Sequence, residues 1–280
     1  MILLIGRHGN LSLATQNLFR EREIHIVDSK IAKAWCEKKG LQSISNHFES
    51  LKVRPELVIN TSGIVNPQAE VSELLDVNYY LPRNLHLFSQ KSGIKLVTFG
   101  TIMENNLEIS NSNSYLHSKR KYFEYLLNPQ VDSNSLHLQV HTWYGGNHFH
   151  DHMFLSQIYN ALKRKISFDM SSGEQIREYH HINDDLTALQ FLLEQNCTGV
   201  RQINHEEAIS LRDLAEFIFG AYGLLELLKI NKLKIPEHEI LQKKFLRDKT
   251  LDSIHFRDTR VGILEYFKEL QKESNDIQNQ

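Results

Sequence analysis

Charge of one sign is missing from this chain: 32 Lys and Arg stand against 34 Asp and Glu in 280 residues, for a formal net charge of -2. Such a balance gives no basic footprint for nucleic acid and no cationic surface for anionic lipid. Cysteine is nearly absent too. Cys36 and Cys197 lie far apart with no Cys-x-x-Cys spacing, which argues against a disulfide scaffold and for a reducing cytoplasm. No apolar run approaches the length of a membrane span. The opening run Met1-Ile2-Leu3-Leu4-Ile5 stops at Gly6 without a basic lead-in, so it reads as a buried strand rather than a signal peptide. Neither an internal repeat nor a low-complexity linker interrupts the chain.

With 41% hydrophobic and 24% charged residues, the chain can bury a full core, in one large α/β domain or two unequal ones. Its first half alternates short apolar runs with amphipathic stretches, the pattern of a parallel sheet with crossover helices. Strands are predicted at 2–5, 24–27, 57–60, 95–99 and 136–141, and helices at 11–20, 77–89 and 114–127. After Trp143-Tyr144-Gly145-Gly146 the rhythm breaks. A helix at 154–163, a short run at 166–170, a helix pattern ending near 194 and a strand at 200–203 follow. From Ser210 onward the chain reads as helices, with a frayed polar tail over 272–280. The expected architecture is α/β: a Rossmann-type doubly wound parallel sheet from residues 1–146 and 176–205. A smaller substrate-binding domain would come from 147–175 and 206–280.

Two constellations carry chemistry. The first is Gly6-Arg7-His8-Gly9-Asn10-Leu11-Ser12, which follows a strand and opens a helix. Glycine there permits a tight turn and lets a pyrophosphate approach the backbone at the helix N-terminus. Gly6, Gly9, Asn10 and Leu11 are the candidate cofactor contacts, with Ser12 in the place of a third glycine. Asp28 ends the second strand, where a carboxylate holds the adenosine ribose hydroxyls. It favours NAD, since it would repel the 2′-phosphate of NADP, although Arg7 and Lys30 could counter that and leave NADP possible. The bare alternative is an ordinary strand–helix turn with a solvated aspartate.

The second is Tyr115-Leu116-His117-Ser118-Lys119, a phenol and an ammonium one helical turn apart on one face. Tyrosine is a poor base near neutrality, and a neighbouring Lys⁺ favours its phenolate. The pair can then exchange an alcohol proton as hydride moves, and the lysine can reach the nicotinamide ribose. Tyr159 and Lys163 show the same spacing, so position decides: Tyr115 lies between two sheet strands, Tyr159 after the last of them. Thr101 ends the fourth strand and is the candidate hydrogen-bond donor to a substrate oxygen.

These residues resemble the extended short-chain dehydrogenase/reductase family, in its NAD-dependent nucleotide-sugar epimerase/dehydratase branch, over most of the chain. Gly6-x-x-Gly9-x-x-Ser12 is similar to the family's glycine-rich turn. Asn60-Thr61-Ser62-Gly63 stands where the family sets a small turn against the cofactor, which implies cofactor contacts from Thr61, Ser62 and Gly63. Thr101, Tyr115 and Lys119 match its catalytic hydroxyl, tyrosine and lysine. Trp143-Tyr144-Gly145-Gly146 is similar to its Val-Tyr-Gly-Pro turn. The stretch from Gly173 through Arg177-Glu178-Tyr179 to Asp184-Asp185 resembles the segment whose arginine meets the substrate diphosphate, which implies that role for Arg177. The run Ser210-Leu211-Arg212-Asp213-Leu214-Ala215 resembles a family helix start, with Ser210 as cap.

The resemblance implies a nucleotide-sugar substrate, a nicotinamide cofactor and a homodimer. The aromatic helix at 114–127, with Tyr122, Phe123, Tyr125 and Leu126, and the helix near 77–89 are the expected twofold contact. Dehydratases of the family carry two acids directly after the catalytic hydroxyl. Here Ile102 and Met103 follow Thr101, which leaves epimerisation or keto-sugar reduction. Asn147 and His148 are candidate substrate contacts in a histidine-rich loop with His150 and His152. A metal would need three convergent ligands, and none is expected from these alternating imidazoles or from His180-His181. The rival class is a non-catalytic NAD(P)-binding redox sensor of the same fold.

Overall fold

The computed structural model describes residues 1–131, 134–147, 151–235, 239–241 and 244–278. The chain opens with β1 (Ile2–Ile5), α1 (Asn10–Leu18), β2 (Ile24–Ile26), α2 (Ser29–Trp35), α3 (Leu41–Ser50) and β3 (Leu57–Asn60). Next come α4 (Val71–Leu75), a π-helical turn (Asp76–Tyr80), α5 (Leu81–Ser92), β4 (Lys95–Thr101) and a 3-10 turn (Ile102–Asn105). Then follow α6 (Leu107–Ser112), α7 (Ser114–Leu126), β5 (Ser135–Val140), β6 (Thr142–Tyr144) and α8 (Phe154–Arg164). The remainder holds β7 (Phe168–Asp169), β8 (Ile176–Arg177), β9 (Tyr179–His181), α9 (Ile182–Glu194) and β10 (Gly199–Gln202). It closes with β11 (Ile209–Ser210), α10 (Leu211–Ala221), β12 (Leu228–Lys229) and α11 (Thr259–Gln278).

Two compact units form: Met1–Val140 with Leu186–Ile203, and His141–Asp185 with Asn204–Gln280. The first is built on a parallel sheet in the order β10-β5-β4-β3-β1-β2. Every residue of β1 and β3 is buried, as unbroken apolar runs must be when helices cover both faces of a parallel sheet. Leu3, Ile5, Val27, Trp35, Ile44, Leu81 and Leu96 share one core cluster. The strand order reverses between β1 and β3. Their crossovers leave in opposite directions and open a crevice beyond the carboxyl ends, where ligands bind in such sheets.

The first unit departs from the sequence reading in its helices. α2 and α3 were not predicted, because each has one fully buried side chain, Trp35 and Ile44, too little for an apolar periodicity. The helix expected at 77–89 splits into the π turn and α5, and the bulge turns Asn78 inward to 2% exposure. On α7, Tyr122 enters the core, while Phe123, Tyr125 and Leu126 stay half-buried.

The second unit packs α8, α10 and α11 around Ile158, Leu214, Ile218, Phe219, Ile263 and Phe267. Residues 141–146, 176–185 and 204–205 fall in this unit, not in the sheet unit where the sequence placed them. The reason is pairing: β8 joins β11 and β9 joins β6. Between Ala221 and Thr259 the described residues form short turns and β12 rather than the expected helices. α10 stops where Gly223 adopts φ +65°. The tail expected to fray extends α11 to Gln278.

Candidate active site

In the first unit, the β1–α1 turn meets the turn after β3. Gly6 has φ +106°, and a Cβ there would lie 2.5 Å from Thr61 Oγ1 and 3.3 Å from the Ser62 nitrogen. Thr61 is tied to β1 twice, its amide and its hydroxyl each donating to the Ile5 carbonyl at 2.8 Å. Only glycine fits position 6. Gly9 caps α1 in extended backbone, and a Cβ there would meet nothing within 4 Å. The absence of a side chain at Gly9 leaves the helix N-terminus open rather than relieving a clash. Ser12, in the third-glycine position, is buried and donates its hydroxyl to the Gly6 carbonyl at 2.8 Å. The substitution therefore braces the turn. Asn10 and Leu11 form the half-buried first turn of α1.

Asp28 is exposed and caps α2, one carboxylate oxygen accepting the Lys30 amide at 2.8 Å. Its second oxygen has no partner among the described residues.

Gly63 links this turn to α7: a Cβ there would lie 3.6 Å from both Lys119 Nζ and Asn78 Oδ1. The ammonium of Lys119 donates to the Phe99 carbonyl of β4 at 2.9 Å. Asn78, which the sequence reading missed, accepts from the Ile64 amide at 3.0 Å. It also donates to the Ile64 carbonyl at 2.9 Å and to Ser118 Oγ at 3.0 Å. One amide thus locks the Gly63 turn onto α7. The signal was out of reach, since it depends on a π turn that brings residues 64, 78 and 118 together.

Tyr115 and Lys119 lie one turn apart on α7, both half-buried. Burial, and then the Glu104 carboxylate, raise the phenol pKa of Tyr115. Burial lowers that of Lys119, against an opposing pull from Glu104. Thr101 ends β4 and caps the 3-10 turn, its Oγ1 accepting the Met103 amide at 3.3 Å. Among the described residues its hydroxyl hydrogen has no acceptor, so it can donate. Tyr159, the competing match, lies in the core of the second unit against Phe267, while Lys163 is exposed.

In the second unit, Arg177 pairs with Glu239 at 2.5 Å. Asn147 is exposed, and His152 also. His148 and His150 lie outside the described residues. His180 is fully buried, with Nδ1 2.6 Å from Asp185 and Nε2 3.0 Å from Glu178. Carboxylates only accept, so both nitrogens carry protons. Burial opposes that charge, but Asp185 and Glu178 outweigh it and push the pKa up to about 9. His141 and His205 are held down to about 4, by burial first and then by the charge on His180.

His141, Glu178 and His180 offer donor atoms within 4.8 Å of one another, a spacing that could hold a metal. Each is already engaged. Glu178 accepts the His205 and Glu206 amides at 3.0 Å, and His141 Nε2 meets Asn204 Oδ1 at 2.8 Å. The cluster satisfies itself through a buried imidazolium.

No helix among the described residues is long and apolar enough to cross a membrane. The family model for the NAD dependent epimerase/dehydratase family matches residues 2–204. No curated protein matches the chain. Solved structures share its fold at low identity. WbmG from Bordetella bronchiseptica, in complex with NAD, superposes with a TM-score of 0.72 at 15% identity, covering 96% of this chain and 94% of that one. The dTDP-4-dehydrorhamnose reductase of Bacillus anthracis str. Ames, in complex with NADP, gives 0.70 at 18%, with coverage of 96% and 97%. UDP-glucose 4-epimerase of Thermus thermophilus, in complex with NAD, gives 0.70 at 14%, with coverage of 95% and 98%. With the family model spanning the whole sheet unit and its turns, the chain belongs to the NAD dependent epimerase/dehydratase family.

Proposed function

We propose that the chain is an NAD(P)-dependent epimerase or keto-sugar reductase acting on a nucleotide-activated sugar, with Tyr115 as the proton-transfer group. The observation that carries this reading is the placement of Lys119. Its ammonium lies beside the Gly63 turn and is anchored on the end of β4, the strand that delivers Thr101. The cradle fits a dinucleotide. Gly6 closes the turn, Gly9 leaves the N-terminus of α1 open for a pyrophosphate, and Asp28 keeps an oxygen for ribose hydroxyls. Thr61, Ser62 and Gly63 line its other side.

The bound nicotinamide supplies the hydride acceptor and donor. Tyr115 Oη takes the proton of a sugar hydroxyl as the alcohol is oxidised, and returns it when the keto group is reduced. Lys119 stabilises the phenolate against a burial that opposes it. Thr101 donates to the same sugar oxygen. Arg177, with Asn147 and His148, would serve the nucleotide sugar. A guanidinium fork suits a diphosphate, and Arg177 would exchange Glu239 for phosphate oxygens. Ile102 and Met103 supply no acid to expel water, which supports epimerisation or reduction over dehydration.

The test is turnover of a panel of UDP- and dTDP-sugars, with and without added NAD or NADP, by the wild type and Tyr115→Phe. An epimerase interconverts sugars without net cofactor consumption; a reductase oxidises one NAD(P)H per sugar. The variant should lose about 100-fold or more in kcat. Full turnover by Tyr115→Phe on a confirmed substrate overturns the mechanism, and bound cofactor that never turns over favours a redox sensor.

A further inference from the structure

Glu104 is fully buried in the first unit, on the 3-10 turn that follows Thr101. Its Oε1 accepts from Gln139 Nε2 at 2.9 Å and from His137 Nε2 at 3.0 Å, both on β5. Its Oε2 reaches back to the Thr101 amide at 3.3 Å. Arg120 of α7 donates to its backbone carbonyl at 2.8 Å. His137 is equally buried, and its Nδ1 lies 2.8 Å from Thr98 Oγ1 on β4. Since a carboxylate only accepts, Nε2 of His137 donates to Glu104, while Nδ1 shares a hydrogen bond with the Thr98 hydroxyl.

The chain makes room for this couple. A Cβ at Gly100 would lie 2.3 Å from Glu104 Oε1 and 2.4 Å from His137 Nε2. Carboxylate and imidazole therefore close over a backbone position where any side chain would have to displace them.

We propose that Glu104 is a positioning residue for the Thr101, Tyr115 and Lys119 chemistry: clamped by His137 and Gln139, its carboxylate fixes the turn that presents Thr101 and is held beside α7. The inference rests on the function proposed above. No acid follows Thr101 directly, yet one stands three residues on, turned inward. With no exposed surface and its oxygens taken by His137, Gln139 and the Thr101 amide, Glu104 does not act on substrate. It acts through its neighbours. A shorter neutral side chain could cap this turn, whereas a buried charge is costly unless its field is used or fully paired.

The groups facing Glu104 are His137 and Gln139 on β5, Thr98 through His137, and Tyr115, Lys119, Arg120 and Tyr122 on α7. Its charge favours the ammonium of Lys119 and disfavours the phenolate of Tyr115. It therefore supports the cationic lysine in a site that discourages charge, and favours the protonated phenol that donates when a keto group is reduced.

The test replaces Tyr115 with difluorotyrosine and follows the phenol titration by ¹⁹F NMR in the purified protein without substrate. Glu104→Gln should lower the apparent pKa of that phenol by about one unit. Glu104→Asp keeps the charge and should leave the titration near the wild-type position, while the Thr101 amide exchanges faster with solvent. An unmoved titration in Glu104→Gln overturns the proposal, even if the thermal midpoint falls. Should that variant fail to fold, Glu104→Asp decides, and unchanged exchange at Thr101 overturns it. Neither readout needs turnover, so a Tyr115→Phe variant that keeps its activity would sink the proposed function while the titration still reports on Glu104.

Discussion

At the scale of single residues, Arg177 is the point where the proposed substrate and the observed geometry compete. Its guanidinium is satisfied by Glu239, 62 residues away in sequence, so an incoming diphosphate must replace that partner. Arg177→Ala should raise the KM for the sugar nucleotide while cofactor affinity stays unchanged. The loss should correspond to about 1.5–3 kcal/mol, the range for a hydrogen bond to a charged group. Steady-state kinetics beside a fluorescence titration of the cofactor separates the two. Equal binding of sugar nucleotide by variant and wild type would leave Arg177 as an ion-pair partner only. The cap on Ser210 was legible because it depends on a residue three positions away. The partner of Arg177 was not, because nothing local selects Glu239.

At the scale of elements, the β1–α1 turn carries the most demanding backbone. Gly6→Ala would force a Cβ against Thr61 Oγ1 in a left-handed conformation, a strain of about 1–3 kcal/mol. A lower thermal midpoint and a loss of NAD affinity should appear together. Gly9→Ala meets no such clash, so it should keep the wild-type midpoint and weaken only cofactor binding, as calorimetric titration would show. A Gly9→Ala variant that binds NAD unchanged argues against pyrophosphate approach at that turn. The strands of the sheet and helices α1, α7 and α8 were readable because their apolar faces are long and periodic. Helices α2 and α3 were not, and the π turn that buries Asn78 leaves no mark in a hydrophobic pattern.

At the scale of the whole molecule, the histidine cluster ties stability to pH. The folded pKa of His180, raised to about 9 from 6.5, makes a contribution fully present below about 6.5 and lost as pH rises through about 9. His141 and His205, lowered to about 4, cost stability as pH falls from 6.5 through that value, since the unfolded chain takes up their protons first. These groups together place a stability maximum near pH 6.5. Chemical denaturation from about pH 4 to about pH 9 should trace that dome, and His205→Gln should flatten its acid side. An acid limb unchanged in His205→Gln would show that other groups dominate.

Local order was determined by the sequence itself: the parallel strands, the glycine turn opening α1, the Tyr115–Lys119 spacing on one helix face and the family to which they point. The strands, the turn and the helix spacing follow from periodicity or from steric rules acting over a few residues, and the family from the resemblance of their motifs. What only the tertiary structure decided is which distant groups meet. Thr61 closes over Gly6, Asn78 bolts the Gly63 turn to α7, and Glu104 and His137 fold over Gly100. Residues 176–185 join the second unit through β8 and β9. These pairings are settled by long-range packing and by the need to satisfy buried polar groups, and neither leaves a trace in local sequence.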